Sequence, residues 1–274
     1  GSISWNVQQD GTWRHTQNPY SDYGYYFVSD NAGEQRLIST TELLVGNDVI
    51  DVDWYVDYRV HEKDEINLID KSGVSGGGRE FYGENLTSVN KSLSISFPTS
   101  NVLLDTVATC FVDLAASSSA STKVQIQYGN TTSVSTIRPI SVSDFYTKAE
   151  ADFVTINATP ISSGTQEVEL HFMSGPSSAN VYLNYIELNV PCSLTMVGNS
   201  MPISNTAYIG ETQYMRFHMR GATSETQVWC VTDDINIKQM PTKMQDGILT
   251  WVGSNIDAEK YYVLNPSAKN WHTP

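Results

Sequence analysis

The feature that most constrains this chain is its punctuation: short runs of β-branched and aromatic residues recur along almost its whole length, separated by Gly, Pro, Asn and Ser. Val49-Ile50-Asp51-Val52-Asp53-Trp54-Tyr55-Val56 and Ser92-Leu93-Ser94-Ile95-Ser96-Phe97 alternate in the two-residue period of a half-buried strand. Further strands are expected within Thr106–Leu114, Lys123–Tyr128, Gln166–Phe172, Val181–Leu188, Ser193–Met196, Tyr214–Met219, Gln227–Thr232 and Tyr261–Leu264. Helical periodicity is confined to Gly33–Leu37 and Ser143–Ala149, both too short to organise a fold. The pattern therefore predicts an all-β protein.

At 274 residues the chain exceeds what a single core usually supports, which points to two or three β modules. The strand density of residues 89–190 fits a jelly-roll-like β-sandwich, with smaller β modules on either side at 1–88 and 191–265. Residues 266–274, with Pro, Asn and Trp but no apolar period, read as the start of a linker to a further domain. The run Tyr182–Asn189 alternates imperfectly, as expected of a central strand covered on both faces.

Sixteen Lys and Arg against thirty Asp and Glu leave a net charge of −14, which repels a nucleic-acid backbone or an anionic membrane. Charged residues are only 17% of the chain, and Ser, Thr and Asn fill the polar positions, a composition of exported β domains. No apolar run is long enough for a membrane-spanning helix. Because Gly1-Ser2 stand where a charged-then-apolar leader would, the natural N-terminus is expected to lie upstream.

The candidate chemistry is sparse. Each of the three cysteines, Cys110, Cys192 and Cys230, sits within an apolar strand pattern, where burial raises the thiol pKa and makes it inert, so none is assigned as a nucleophile for the five histidines to activate. Their spacing suits neither a disulfide framework nor a zinc site, although a single Cys192–Cys230 bridge stays open in an oxidising compartment. The glycine-rich Ser72–Gly78 lacks the Gly-Lys-Ser/Thr of a phosphate loop. Asp51, Asp53, Asp57, Glu62, Asp64 and Glu65 offer oxygen ligands for calcium, but without EF-hand spacing they read as a solvated acidic face. No catalytic, metal or cofactor residue is therefore assigned. Trp13 and Tyr82 are the aromatic residues to consider for stacking on a sugar, against the commoner role of such residues in packing. The Asn-X-Ser/Thr sequons at Asn85, Asn90, Asn130 and Asn157 are expected by chance in so polar a chain.

Four segments in order, Trp13–Asp22 with Tyr25-Tyr26-Phe27, then Gly78–Glu84, then Leu183–Asn189, then Gln227–Asp233, resemble the region upstream of the peptidase domain in the PorU-like, gingipain-like sortases of the type IX secretion system. The resemblance runs from about residue 13 to 265 and departs at Cys230, where the family has an acidic residue, and at Val190-Pro191-Cys192, where it is basic. Both departures bring in cysteines, which strengthens the case for a Cys192–Cys230 bridge. The family's β modules precede a cysteine peptidase that removes sorting signals and attaches cargo to lipopolysaccharide at the outer-membrane surface. The resemblance thus implies an exported, non-catalytic β region that positions its own downstream peptidase domain and offers a docking surface to secretion components or cargo. The alternative is a free-standing carbohydrate-binding or adhesin-like β-sandwich.

Overall fold

A computed structural model describes residues 3–18, 38–68, 80–141 and 147–267. The helical candidate Gly33–Leu37 and the glycine-rich Ser72–Gly78 lie outside the described residues, as do 143–146 of the second helical candidate. Thr147, Lys148 and Ala149 have no regular structure.

The protein is all-β, a β-sandwich with smaller β modules, and it divides into two compact units. The first comprises residues 1–6, 14–23 and 58–190, and the second residues 7–13, 24–57 and 191–274. Residues 1–88, expected to form a module of their own, are instead shared between the two units. The physical reason is pairing: Ile3–Val7 and Trp13–Gln17 pair with each other, but Ser39–Thr40, Val49–Val52, Trp54–Glu62 and Asn85–Thr87 find partners in distant parts of the chain.

Strands β1 (Ile3–Val7) and β2 (Trp13–Gln17) pair as a two-stranded ribbon, with Ile3–Asn6 and Arg14–Gln17 in the first unit. The unit's sandwich has one sheet of β7 (Ser92–Phe97), β9 (Thr122–Tyr128), β10 (Thr131–Ile137) and β12 (Gln166–Ser174), in the order β10-β9-β12-β7. Its central strands obey strict alternation: Val124, Ile126, Val168, Leu170 and Phe172 are buried, while Lys123, Glu167, Glu169 and His171 face solvent. The other sheet runs β11-β8-β13-β5, built from β5 (Trp54–Glu62), β8 (Ala108–Ser117), β11 (Glu150–Ala158) and β13 (Asn180–Ser193), with β6 (Asn85–Thr87) also on β13.

The central strands β8 and β13 are covered on both faces, as their near-continuous apolar text predicts. Toward the sandwich interior β8 presents Ala108, Cys110, Val112, Leu114 and Ala116, all essentially inaccessible. Its other face carries Phe111 and Ala115, and Tyr82 and Tyr182 pack with Ala115 there, backed by Ile66, Leu68 and Ala149. Full burial of each large side chain is worth about 1.5–3 kcal/mol.

A β-bulge explains the imperfect alternation of β13. Leu183 pairs with Leu114 and Tyr185 with Asp113, so Asn184 is the extra residue. Before it, Val181 and Leu183 point inward; after it, Ile186 and Leu188 do. Were Asn184 a regular strand residue instead of a bulge, the two-residue period would carry Tyr185 and Glu187 into the interior.

The second unit holds a sheet in the order β14-β20-β16-β17-β3, made of β3 (Ser39–Thr40), β14 (Ser200–Ile203), β16 (Gln227–Cys230), β17 (Lys238–Gln239) and β20 (Tyr261–Leu264). The other sheet, β18-β19-β15-β4, combines β4 (Val49–Val52), β15 (Tyr214–Arg220), β18 (Lys243–Gln245) and β19 (Ile248–Ser254). Strands β3 and β4 join parallel to β17 and β15. Phe217 stacks on Trp251 at 4.8 Å, and Tyr261 meets both edge-on.

Deleting Asn184 together with Tyr185 is expected to abolish the cooperative unfolding of the first unit, because Glu187 would then turn into the core and Ile186 and Leu188 out of it. Asn184→Ala keeps the residue count and should retain cooperative urea unfolding; hydrogen exchange at β8 and β13 amides reads both outcomes.

Candidate functional site

Three of the four family-like segments converge in the first unit. Beyond the bulge, β13 turns Tyr185 and Glu187 to the outer face of the sheet, where β2 supplies Arg14 and His15. The Glu187 side chain is completely inaccessible and would be costly as an isolated charge. It is surrounded by donors: Arg14 Nε, the His15 ring Nδ1–H and the His15 backbone N–H, the last at 2.6 Å.

The network extends outward from that carboxylate. Arg14 Nη2 donates to Tyr185 Oη at 2.9 Å, and its guanidinium lies 4.2 Å and 4.8 Å from the ring centroids of Phe111 and Phe153. His15 Nε2–H donates to Glu62 Oε2 of β5 at 2.8 Å, and the imidazole meets Tyr185 edge-on and lies 5.8 Å from Trp5, itself 4.8 Å from Tyr58. Burial by itself would lower the His15 pKa, but the hydrogen bonds and charges of Glu187 and Glu62 outweigh it and raise the imidazole to about 9. His15 is thus a cation at neutral pH, with both ring nitrogens donating and neither available to a metal.

The Gly78–Glu84 segment supplies the neighbouring groups. Tyr82 exchanges backbone hydrogen bonds with Ile66, and its hydroxyl donates to Glu80 Oε2 at 3.3 Å. Asn184 Nδ2 and Tyr185 Oη both donate to Asp113. Burial, with repulsion from Glu80, nevertheless holds Asp113 above the usual carboxylate range, and burial beside Asp113 pushes Tyr185 up to about 12. Glu84 binds His61 at 3.0 Å and Lys63 at 2.8 Å; burial would raise it, but these partners keep it low. Beside this network lies a cavity of about 500 Å³, with His15, Gln17, Glu62, Glu80, Asn184 and Tyr185 in its walls.

The residues singled out from sequence fall elsewhere. Trp13 is 2% exposed, in the second unit beneath Lys260, and Tyr82 is 7% exposed in the first. Neither presents an open ring face to a sugar: both rings are consumed in packing. No disulfide joins Cys192 to Cys230. Cys192 is packed inside the second unit, whereas Cys230 sits half-exposed at the end of β16, its Sγ 3.4 Å from the Thr232 hydroxyl. Burial drives the Cys110 thiol far above its ordinary range. The acidic residues considered for calcium are spread over both units: Asp51 is bound by Arg216 and His218 in the second, while Glu62 holds His15 and Asp64 accepts from Gln17 Nε2 at 2.5 Å in the first.

The fold and this network define a class: an all-β chain of two compact units, the first of which carries a buried charge cluster. The crystal structure of dimeric latent PorU from Porphyromonas gingivalis matches 97% of this chain with a TM-score of 0.82 at 19% identity, and the match covers 25% of that chain. The likeness is one of fold, and this chain spans about a quarter of that protein's length. Two carbohydrate-binding modules match at TM-scores too low to indicate a shared fold: the CBM36-1 domain of a multidomain xylanase from the hindgut metagenome of Trinervitermes trinervoides (0.30, 12% identity, 48% of this chain and 96% of that one) and a CBM36 in complex with calcium and xylotriose (0.29, 18% identity, 50% and 99%). No family model matches the sequence, and no curated protein matches it.

Removing Glu187 takes from the half-buried Arg14 and the buried His15 the carboxylate they share, so Glu187→Ala should destabilise the first unit by about 3 kcal/mol in urea unfolding. The His15 pKa is about 9 in the folded unit against 6.5 for the free side chain, so its stabilisation is complete below about pH 6.5 and is lost as pH rises through about 9. The loss, on the order of 2–3 kcal/mol, should flatten in His15→Gln.

Proposed function

We propose that this chain is a non-catalytic scaffold, the β region that precedes the peptidase domain of an exported, PorU-like cysteine peptidase of type IX secretion. It positions that domain at the outer-membrane surface and offers secretion components or cargo a surface on which to dock. The observation that carries the reading is the extent of the fold likeness: nearly the entire chain, both units included, follows PorU at a TM-score of 0.82. An isolated sandwich module would share one unit and not the other.

The site chemistry is consistent with a holding role. Arg14, His15, Glu62 and Glu187 spend their charges on one another, linking β2, β5 and β13. His61 is engaged by Glu84, His171 by Ser92 and His218 by Asp51. Cys110, the cysteine of the sandwich interior, is inaccessible and held in its neutral form.

Two measurements test this. The gene is expected to continue past codon 274 into a gingipain-like cysteine peptidase domain, and that domain, expressed separately, should co-elute with this chain in size-exclusion chromatography. The chain alone should not turn over arginyl or lysyl peptide substrates. A frame without a peptidase domain, or turnover abolished by Cys→Ala at position 110, 192 or 230, overturns the proposal.

A further inference from the structure

We infer that the cavity beside the charge network is a saccharide-binding site, sized for one or two pyranose rings. Its volume of about 500 Å³ falls in the range of small-molecule sites, roughly 300–1,000 Å³. The inference is independent of the scaffold reading, since all the walls described belong to the first unit.

The argument rests on how the polar walls are held. Asn184 is the inserted residue of the β13 bulge, and bulges commonly re-aim a side chain beside a binding site. Its Nδ2 is anchored on Asp113, which fixes the amide plane, and its Oδ1 accepts no hydrogen bond among the described residues. Gln17 is fixed the same way, with Nε2 on Asp64 and Oε1 accepting no hydrogen bond among the described residues. Glu62 gives one oxygen to His15, and Glu80 gives one to the Tyr82 hydroxyl. Each group is therefore immobilised by one internal bond and keeps capacity for another, the arrangement of a preorganised site.

What remains open selects the ligand. The carboxylate oxygens and amide carbonyls accept, the second hydrogens of the two amides donate, and Phe81 adds an apolar ring to the wall. A ligand whose hydroxyls both donate and accept around an apolar ring face satisfies all three. A simple ammonium or guanidinium would satisfy the acceptors alone, leaving the amide hydrogens unmatched.

The test is a titration of the ¹⁵N-labelled chain with the methyl glycosides of glucose, galactose, mannose and xylose and with N-acetylglucosamine, each to about 10 mM, in parallel with arginine and lysine methylamides. At least one sugar is expected to shift the amides of β2 and the Asn184 bulge, and Asn184→Ala and Gln17→Ala should each weaken it by about tenfold while urea midpoints stay close to that of the parent. No shift with any sugar overturns the inference, as do binding unchanged in both well-folded variants and shifts produced by the cationic amides alone.

Discussion

The first unit depends on one carboxylate. Glu187 is an ion with no access to water, and burying it without donors would cost more than any neighbouring apolar contact returns. The chain meets that cost with two adjacent residues of β2, whose side chains and backbone converge on both carboxylate oxygens. Two tryptophans sit near this arrangement in sequence but not in role: Trp5 packs against Tyr58 beside the His15 ring, while Trp13 belongs to the core of the second unit. A short two-stranded ribbon has little stability in isolation. Here the Arg14–Gln17 end of the ribbon is fastened to β13 by charge and to Phe111 and Phe153 by the stacked guanidinium.

That fastening depends on a backbone irregularity. Strand pairing fixes side-chain direction with a period of two, so a carboxylate two positions beyond Tyr185 shares its face, and both must leave the face of Val181 and Leu183. One inserted residue accomplishes the change of phase. The bulge at Asn184 therefore does two things at once: it keeps Tyr185 and Glu187 out of the sandwich interior, and it brings them within reach of Arg14 and His15.

The strands with a strong inward apolar period were legible as text, and Ser92–Phe97 and Tyr261–Leu264 have the anticipated limits. Strands β10 and β11 were not anticipated. Their inward positions include Ser135 and Asp152, which satisfy each other by a hydrogen bond between the sheets, so the apolar signal is missing where a polar pair replaces it. The sharing of residues 1–88 between two units was invisible for a related reason: two- to four-residue strands such as β3 and β4 carry no sign of which distant strand they join. The charge network left a clearer trace. A glutamate inside the apolar run Leu183–Leu188, together with an Arg-His pair in a short strand, is what a buried ion pair looks like in sequence. The phase change at Asn184 was present too, as broken alternation, but periodicity alone does not distinguish a bulge from a strand covered on both faces.

The two family-like segments at Arg14-His15 and Tyr185–Glu187 are about 170 residues apart, yet they meet as partners in one ion-pair network. Such a network constrains the fold because each charge is tolerated only in the presence of the others. A chain that loses one partner must lose or replace the rest. Hydrophobic core positions accept many residues of similar volume. A buried carboxylate with one arginine and one histidine accepts very few, and it ties the N-terminal strand to the centre of the sandwich.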